Sequence, residues 1–261
     1  MTGEVLCEAA DGIGWITFSN PAKRNAMTLE MWQAVGRTIL ALQADDAVRA
    51  VVMRGAGDRA FMSGADISQF EAQRDSAQAA AAYDVIAEEA REHLRRLDKP
   101  LIAMIHGFCL GGGLGVALAA DLRFCSEEAS FGIPAANLGV AYSTGSVRRL
   151  VDLVGPSVAK DILFSARRLD APEALRVGLV SRVTGKDALE HAVRDYATAL
   201  TAKAPLSLRA SKATVDEVMK PAGEQDAERI RRHVAACFDS ADYTEGRRAF
   251  MEKRTPVFRG C

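Results

Sequence analysis

The sequence lacks an excess of either charge and lacks paired cysteines. Of its 261 residues, 33 are Lys or Arg and 34 are Asp or Glu, so the formal net charge is −1. A nearly neutral chain has no strong field to attract nucleic acid or an acidic membrane, and neither partner is expected. The five cysteines are scattered without a CxxC pair, which is typical of reduced thiols in a cytoplasm.

The sequence also lacks the apolar core of a signal peptide, because its first residues, MTGEVLCEAADG, are acidic. One uncharged run, residues 101–120, is long enough to span a bilayer. However, Pro100 precedes this run, five glycines and His106 lie within it, and Asp121 ends it. These features favour a buried strand followed by a buried helix. We therefore predict no membrane partner and a cytoplasmic location.

What the sequence does contain is an alternation of strand and helix patterns. Apolar, β-branched runs that predict buried strands occur at 14–20, 47–55, 101–105 and 121–125. Apolar residues recur at helical spacing between the first two runs, and again from about Ser76 to Leu97. After about residue 145 the chain becomes mainly helical, with one short strand at 179–183. The order of elements predicts an α/β fold with a mostly parallel sheet.

The stretch HGFCLGGGLG, residues 106–115, places three glycines between a predicted strand and a predicted helix. A GxGxxG motif would need glycine at Val116 or Leu118, and no GK[ST] follows, so neither a nicotinamide site nor a P-loop is expected. Two uses stay open. The first helical amides can bind a thioester oxygen as it becomes an enolate, or the glycines only allow the helix and strand to pack closely.

Four motifs occur in a fixed order: NPAKRNAM (20–27), FMSGADISQF (61–70), HGFCLGGGLG (106–115) and EGRRAFMEKRTPVF (245–258). Together they resemble the enoyl-CoA hydratase/isomerase (crotonase) superfamily over essentially the whole chain. The resemblance implies an α/β, crotonase-like spiral of ββα units at 1–200 that carries an acyl-CoA site. It also implies a helical trimerisation region at 201–261 and assembly as a homotrimer or as a hexamer (dimer of trimers). CoA enters as part of the substrate, so no separate cofactor and no metal are expected.

The resemblance also implies which residues form the site. The oxyanion hole would use the backbone amides of Ala65 and Gly112. Phe250 and Lys253 match positions that reach the CoA of a neighbouring subunit. The other implied substrate or CoA contacts are Lys23, Arg24, Ala26, Ser63, Asp66, Ile67, Gly111, Ala135 and Ser143. A plainer interpretation stays open for several of them, since Lys23 and Arg24 suit a solvated loop and Phe250 suits a core.

Both glutamates that hydratases of this family use are missing, because the matching positions hold Gly115 and Ala135. Hydration of an enoyl double bond needs a positioned proton acceptor and donor, and losing one typically costs about 10²–10⁴-fold in rate. Efficient hydration is therefore disfavoured. Decarboxylation of a malonyl- or methylmalonyl-type CoA thioester needs no base, since the loss of CO₂ itself leaves the enolate.

The stretch ANLGVAYS, residues 136–143, resembles the matching stretch of the family's methylmalonyl-CoA decarboxylases, including an active-site tyrosine that matches Tyr142. Those enzymes differ in having histidine at the position of Ala65 and glutamate at that of Gly115. The preferred prediction is an acyl-CoA lyase that decarboxylates. The alternatives are a hydratase or isomerase with non-standard catalytic residues, or a non-catalytic acyl-CoA-binding relative. His106, at the end of a predicted buried strand, is a candidate base, but a hydrogen-bonded core histidine is favoured.

Overall fold

Strands and helices alternate along the chain, which the computed structural model describes over residues 3–66 and 77–261. The strands are β1 Glu4–Ala10, β2 Ile13–Ser19, β3 Ala50–Gly55, β4 Ala60–Met62, β5 Leu101–Ile105, β6 Phe108–Leu110, β7 Leu122–Ser126, β8 Ser130–Gly132, β9 Leu169–Asp170 and β10 Arg182–Thr184. The helices are α1 Leu29–Ala44, α2 Ala77–Arg96, α3 Gly112–Ala117, α4 Ala135–Leu138, α5 Thr144–Ser165, α6 Ala171–Arg176, α7 Leu189–Thr201, α8 Pro205–Val218, α9 Ala227–Phe238 and α10 Ala241–Glu252.

The strands form two sheets, and the chain passes back and forth between them. One sheet has the order β1-β2-β3-β5-β7-β10 and the other has the order β4-β6-β8-β9. From β3 to β8 each successive strand belongs to the other sheet, and neighbours in both sheets are parallel. Each turn of the chain thus adds one strand to each sheet, with helices α2 and α3 following β4 and β6. This arrangement is the spiral of ββα units that the resemblance implies.

The apolar residues lie where the periodicity predicts them. Helix α1 begins at a cap in which Thr28 accepts a hydrogen bond from the amide of Met31, and it buries Trp32 and Val35 beneath α2. Helix α2 turns Tyr83 and Leu94 toward the same core. Neither apolar cluster of the described residues includes any residue after position 200. The C-terminal helices therefore lie outside both clusters.

The strand predictions succeed where the runs are long and apolar. The predicted strands at 14–20, 47–55, 101–105 and 121–125 correspond to β2, β3, β5 and β7. Strands β4, β6 and β8 escape the pattern because each is only three residues long. The uncharged run at 101–120 divides into β5, β6 and α3. In the described part of the chain, no helix is both long and apolar enough to cross a membrane.

Candidate functional site

The site lies where three strands of the second sheet end. Strands β4 and β6 are parallel neighbours, as are β6 and β8, so their carboxyl ends meet at one edge of the sheet. We call the segments that follow them, residues 63–65, 111–112 and 134–135, the floor. A hydrogen bond of 2.8 Å from the amide of Gly111 to the carbonyl of Gly132 joins two of these strand ends. Segments far apart in sequence therefore meet because of the sheet topology.

Two backbone amides border one small space on the floor. Ala65 is the centre of a parallel bridge to Met27, in which Met27 donates to Gly64 and Asp66 donates to Met27. This pattern leaves the amide of Ala65 itself out of the bridge. Gly112 is the first residue of α3, so its amide has no acceptor within the helix. A side-chain carbon at Gly112 would lie 3.8 Å from the Ala65 nitrogen. The arrangement therefore suits an oxyanion hole.

The glycines of the floor and the adjoining Gly113 have different structural roles. Gly64 has φ +113° and Gly111 has φ +53°, a region that residues with a side chain rarely adopt. A methyl group at Gly113 would collide with the backbone carbonyl of Met62, whereas Gly112 has room for one. Of the two uses that the sequence leaves open, close packing applies to Gly113. The geometry at Gly112 suits binding of an oxygen.

The first loop packs along one side of the floor. Lys23 forms an ion pair of 2.7 Å with Asp66, and the amide of Ser63 donates to the carbonyl of Arg24 at 3.0 Å. Ala26 is buried behind them. The structure thus brings these predicted CoA contacts together. The carboxylate of Asp66 is almost fully buried against Lys23, so its evident task in this chain is to hold the loop. Ile67 lies outside the described residues.

A cavity of about 200 Å³ opens above the floor. Seven of the predicted site residues line it, namely Ser63, Ala65, Gly111, Gly112, Ala135, Tyr142 and Ser143. Ser143 also caps α5 through the amide of Ser146 at 3.4 Å. Phe250 and Lys253 lie at the end of α10, away from the cavity of their own chain, and Phe250 is 83% exposed.

Helix α2 covers the cavity with charged side chains that the sequence interpretation missed. Glu88 accepts hydrogen bonds from Arg91 at 2.8 and 3.0 Å and from Arg95 at 2.6 Å. We call Glu88 and Arg91, which both line the cavity, the roof. Burial raises the pKa of Glu88, but the bonds from Arg91 and Arg95 outweigh burial and hold it below its usual range. The spacing of these residues along one helix face was the available signal.

The roof occupies the region where the family's glutamate would stand. A side-chain carbon at Gly115 would lie 3.7 Å from Cδ of Arg91. Ala135 offers no carboxylate either. Among the described residues that line the cavity, the only carboxylates are Asp84 and Glu88, both on α2. The site therefore holds an arginine beside the position from which a hydratase glutamate would act.

Of the two remaining candidates, Tyr142 lies at the cavity and His106 lies outside it. The hydroxyl of Tyr142 lies 3.6 Å from the point where a side chain would begin at Gly111. Tyr142 is therefore beside the floor, as the resemblance implies. His106 does not line the cavity, and its Nδ1 has no hydrogen-bond partner in the described part of the chain. Burial lowers its pKa. His106 thus lies away from the cavity, and the hydrogen bond predicted for a core histidine is not formed at Nδ1 within the described residues.

The chain is similar to known proteins along nearly all of its length. The family model described as "Enoyl-CoA hydratase/isomerase" matches residues 8–261. A crotonyl-CoA hydratase of Syntrophomonas wolfei is 32% identical over 254 residues, covering 97% of each chain. A carnitinyl-CoA dehydratase of Citrobacter koseri is 34% identical, with 94% of each chain covered.

The fold agrees with these matches. A crystal structure of an enoyl-CoA hydratase/carnithine racemase from Magnetospirillum magneticum superimposes with a TM-score of 0.93 at 33% identity. The match covers 100% of this chain and 97% of the other. The matched length, the ββα spiral and the glycine-rich floor lead to one conclusion: the chain belongs to the enoyl-CoA hydratase/isomerase (crotonase) superfamily.

Proposed function

We propose that this protein acts on a CoA thioester and stabilises its enolate between the amides of Ala65 and Gly112, with decarboxylation of a malonyl- or methylmalonyl-type thioester as the preferred reaction. The observation that carries the proposal is the combination of two neighbouring amides, those of Ala65 and Gly112, with the absence of a carboxylate at Gly115 and Ala135. Such donors stabilise charge that develops on the thioester oxygen, and one donor typically contributes about 2.7–4 kcal/mol.

Decarboxylation uses only groups that the cavity offers. The bond between the α-carbon and the carboxylate carbon breaks, and its electron pair passes to the thioester to form the enolate, whose oxygen accepts hydrogen bonds from Ala65 and Gly112. CO₂ leaves. The enolate then takes a proton at the α-carbon from a weak acid, and the hydroxyl of Tyr142 or water serves as that acid. The product is the CoA thioester shortened by one carboxylate, and the enzyme regains its proton from solvent.

Hydration or dehydration is the second candidate. The names of the relatives favour it, since they include a crotonyl-CoA hydratase and a carnitinyl-CoA dehydratase. Asp84 lies about 10 Å from Arg91 along the helix axis, so Glu88 would have to supply the missing carboxylate beside Gly115. Its bonds to Arg91 and Arg95 lower its pKa, and a carboxylate with a lowered pKa is a poorer base near neutral pH. For that reason decarboxylation remains the preferred reaction.

Self-association belongs to the same proposal. Residues 201–261 would form a trimerisation region beside the core at 1–200, giving a homotrimer or a hexamer. The C-terminal region supports this by exposing large apolar side chains, at Phe238, Phe250 and Met251 on its helices and at Val257 in the tail that follows them. In that assembly Phe250 and Lys253 would reach the CoA of a neighbouring subunit. Analytical ultracentrifugation of the full chain would give the mass of the assembly, and a monomer at all concentrations would contradict the proposal.

The experiment compares methylmalonyl-CoA with crotonyl-CoA as substrates, measuring CO₂ release and hydration with the same enzyme preparation. Decarboxylation should be the faster reaction, and Tyr142→Phe should slow it by about 10²-fold, the lower end for loss of a positioned proton donor. Tyr196→Phe, on α7 and away from the cavity, is the matched control and should leave the rate unchanged. Fast hydration of crotonyl-CoA without CO₂ release would contradict our preference. Tight binding without turnover of either thioester would identify a non-catalytic relative.

A further inference from the structure

Arg91 fills the space that Gly115 leaves open. The side chain of Arg91 is only 13% exposed, and its Cδ lies 3.7 Å from the position of a side-chain carbon at Gly115. Its guanidinium carbon lies 5.4 Å from the ring centre of Trp32. The stem and the aromatic ring thus fix a cation in the wall of the cavity, in the region nearest the α3 helix.

Arg91 keeps hydrogen-bond donors available. A guanidinium has five N–H groups, and Nε and Nη2 of Arg91 both donate to the same oxygen of Glu88. In the part of the chain that the structure describes, Nη1 has no hydrogen-bond partner. A nearly buried guanidinium with open donors suits a carboxylate, which matches its planar fork and forms charge-assisted hydrogen bonds.

The neighbouring charges leave Arg91 only partly neutralised. The other oxygen of Glu88 accepts a bond of 2.6 Å from Arg95, so this carboxylate is shared between two guanidinium groups. Asp84 also lines the cavity, but it precedes Arg91 by two turns of the helix, about 10 Å along the axis. An anionic group that enters beside Gly115 would therefore meet Arg91 at much closer range than Asp84.

We infer that Arg91 is a specificity-determining residue that binds a carboxylate on the acyl group, so that the substrates are CoA thioesters of dicarboxylic acids. This inference rests on the proposed function. It is compatible with decarboxylation, because the acyl group carries one negative charge both before CO₂ leaves and as the enolate. A cation in the cavity wall attracts the negative acyl group in both states and therefore raises affinity more than rate.

The test measures binding of two matched pairs of thioesters to the wild-type protein by isothermal titration calorimetry. Freshly prepared succinyl-CoA is compared with butyryl-CoA, and glutaryl-CoA with valeryl-CoA, so that each pair has the same number of acyl carbons and differs in one carboxylate. Neither dicarboxylic ester carries its carboxylate on the α-carbon, so neither is decarboxylated during the titration. If Arg91 binds the carboxylate, at least one charged ester should bind about 10- to 100-fold more tightly than its uncharged partner. Equal affinity within both pairs would overturn the inference while leaving the proposed function intact. Binding of none of the four esters would overturn both.

Variants identify the residue responsible. Arg91→Met should abolish the preference for the charged esters without weakening the binding of the uncharged ones. Arg91→Lys, which keeps the charge, should retain part of the preference. Arg95→Met is the matched control, since Arg95 also pairs with Glu88 on the same helix but does not line this cavity. If Arg95→Met removed the preference as completely as Arg91→Met, the assignment to Arg91 would be wrong. The wild-type comparison stands even where a variant fails to fold.

Discussion

The floor and the roof face each other across one cavity, yet they are built from different parts of the polypeptide. The floor consists of backbone groups at three strand ends, fixed by glycines and by sheet topology. The roof consists of two charged side chains on a single helix. The floor keeps the glycines and backbone amides of the family motifs and departs from them at Ala135, whereas the roof has a guanidinium beside the position of a family carboxylate.

The floor and the roof differ in how easily amino-acid substitution changes their chemistry. Backbone amides remain present whatever side chains surround them, so the capacity to bind an oxyanion persists as long as the sheet edge keeps its shape. Proton transfer and recognition of the acyl group depend on side chains, which single substitutions change. The floor therefore indicates the superfamily, and the roof bears on the particular substrate. Substitutions on each side should have effects of different kind and size.

The largest effect should follow from disturbing the floor at Gly64. Its φ of +113° is unfavourable for alanine, so Gly64→Ala should twist the following peptide and misdirect the amide of Ala65. Turnover should fall by about 10²–10³-fold, the usual result of losing one oxyanion donor. Gly57→Ala is the control, because Gly57 has φ +70° with open space around it and lies away from the cavity. Equal activity losses in the two variants would show that strain alone is responsible.

A smaller effect should distinguish the two glycines with which α3 begins, Gly112 and Gly113. Gly113→Ala places a methyl group against the backbone of Met62, which cannot move like a flexible side chain, whereas Gly112→Ala has its nearest neighbour at 3.8 Å. We expect Gly113→Ala to lower the free energy of unfolding by about 1–3 kcal/mol, as overpacking does. Gly112→Ala should lower it by clearly less. Urea denaturation measures both, and similar values would contradict the packing role of Gly113.

The smallest effect should come from the roof. The depressed pKa of Glu88 means that its pairing stabilises the fold above its ordinary pKa of 4.5 and is lost as the pH falls through the lower folded value. Glu88→Gln should therefore reduce stability at pH 7, by less than about 1 kcal/mol for such a partly exposed pair, and the difference should vanish at strongly acidic pH. The carboxylate of Glu92 pairs with Arg95 and Arg96, so Glu92→Gln should lower the free energy of unfolding in urea by a similar amount. Only Glu88→Gln should alter binding of the charged thioesters.

The sequence predicts much of the floor because its determinants are local. Long apolar runs identify β2, β3, β5 and β7, and the glycine motif identifies the start of α3. Strands β4, β6 and β8, which actually carry the floor, are too short to show a period of two. Their pairing partners are set by the return of the chain to the second sheet after each turn, and nothing in the local pattern of a three-residue strand encodes this.

The roof was not predicted because its significance depends on tertiary packing. Tyr83 and Leu94 mark the inner face of α2 correctly, but charged residues beside an apolar face usually belong to its solvated edge. Here the edge of the helix faces the cavity, because the stem of Arg91 packs on Trp32 and in the space beside Gly115. Neither the tryptophan nor the glycine is close to Arg91 in sequence.

The proximity of Arg91 to Gly115 also limits how this site can be changed. A glutamate restored at Gly115 would enter space that the guanidinium already borders, and the new carboxylate would be captured as an ion pair before it could accept a proton from water. Restoring the family's carboxylate would thus require two substitutions made together, one to place the glutamate and one to remove the arginine. The glutamate alone would be held by the arginine, and removal of the arginine alone would supply no carboxylate at this position. The two positions should therefore behave as an epistatic pair, in evolution and in redesign alike.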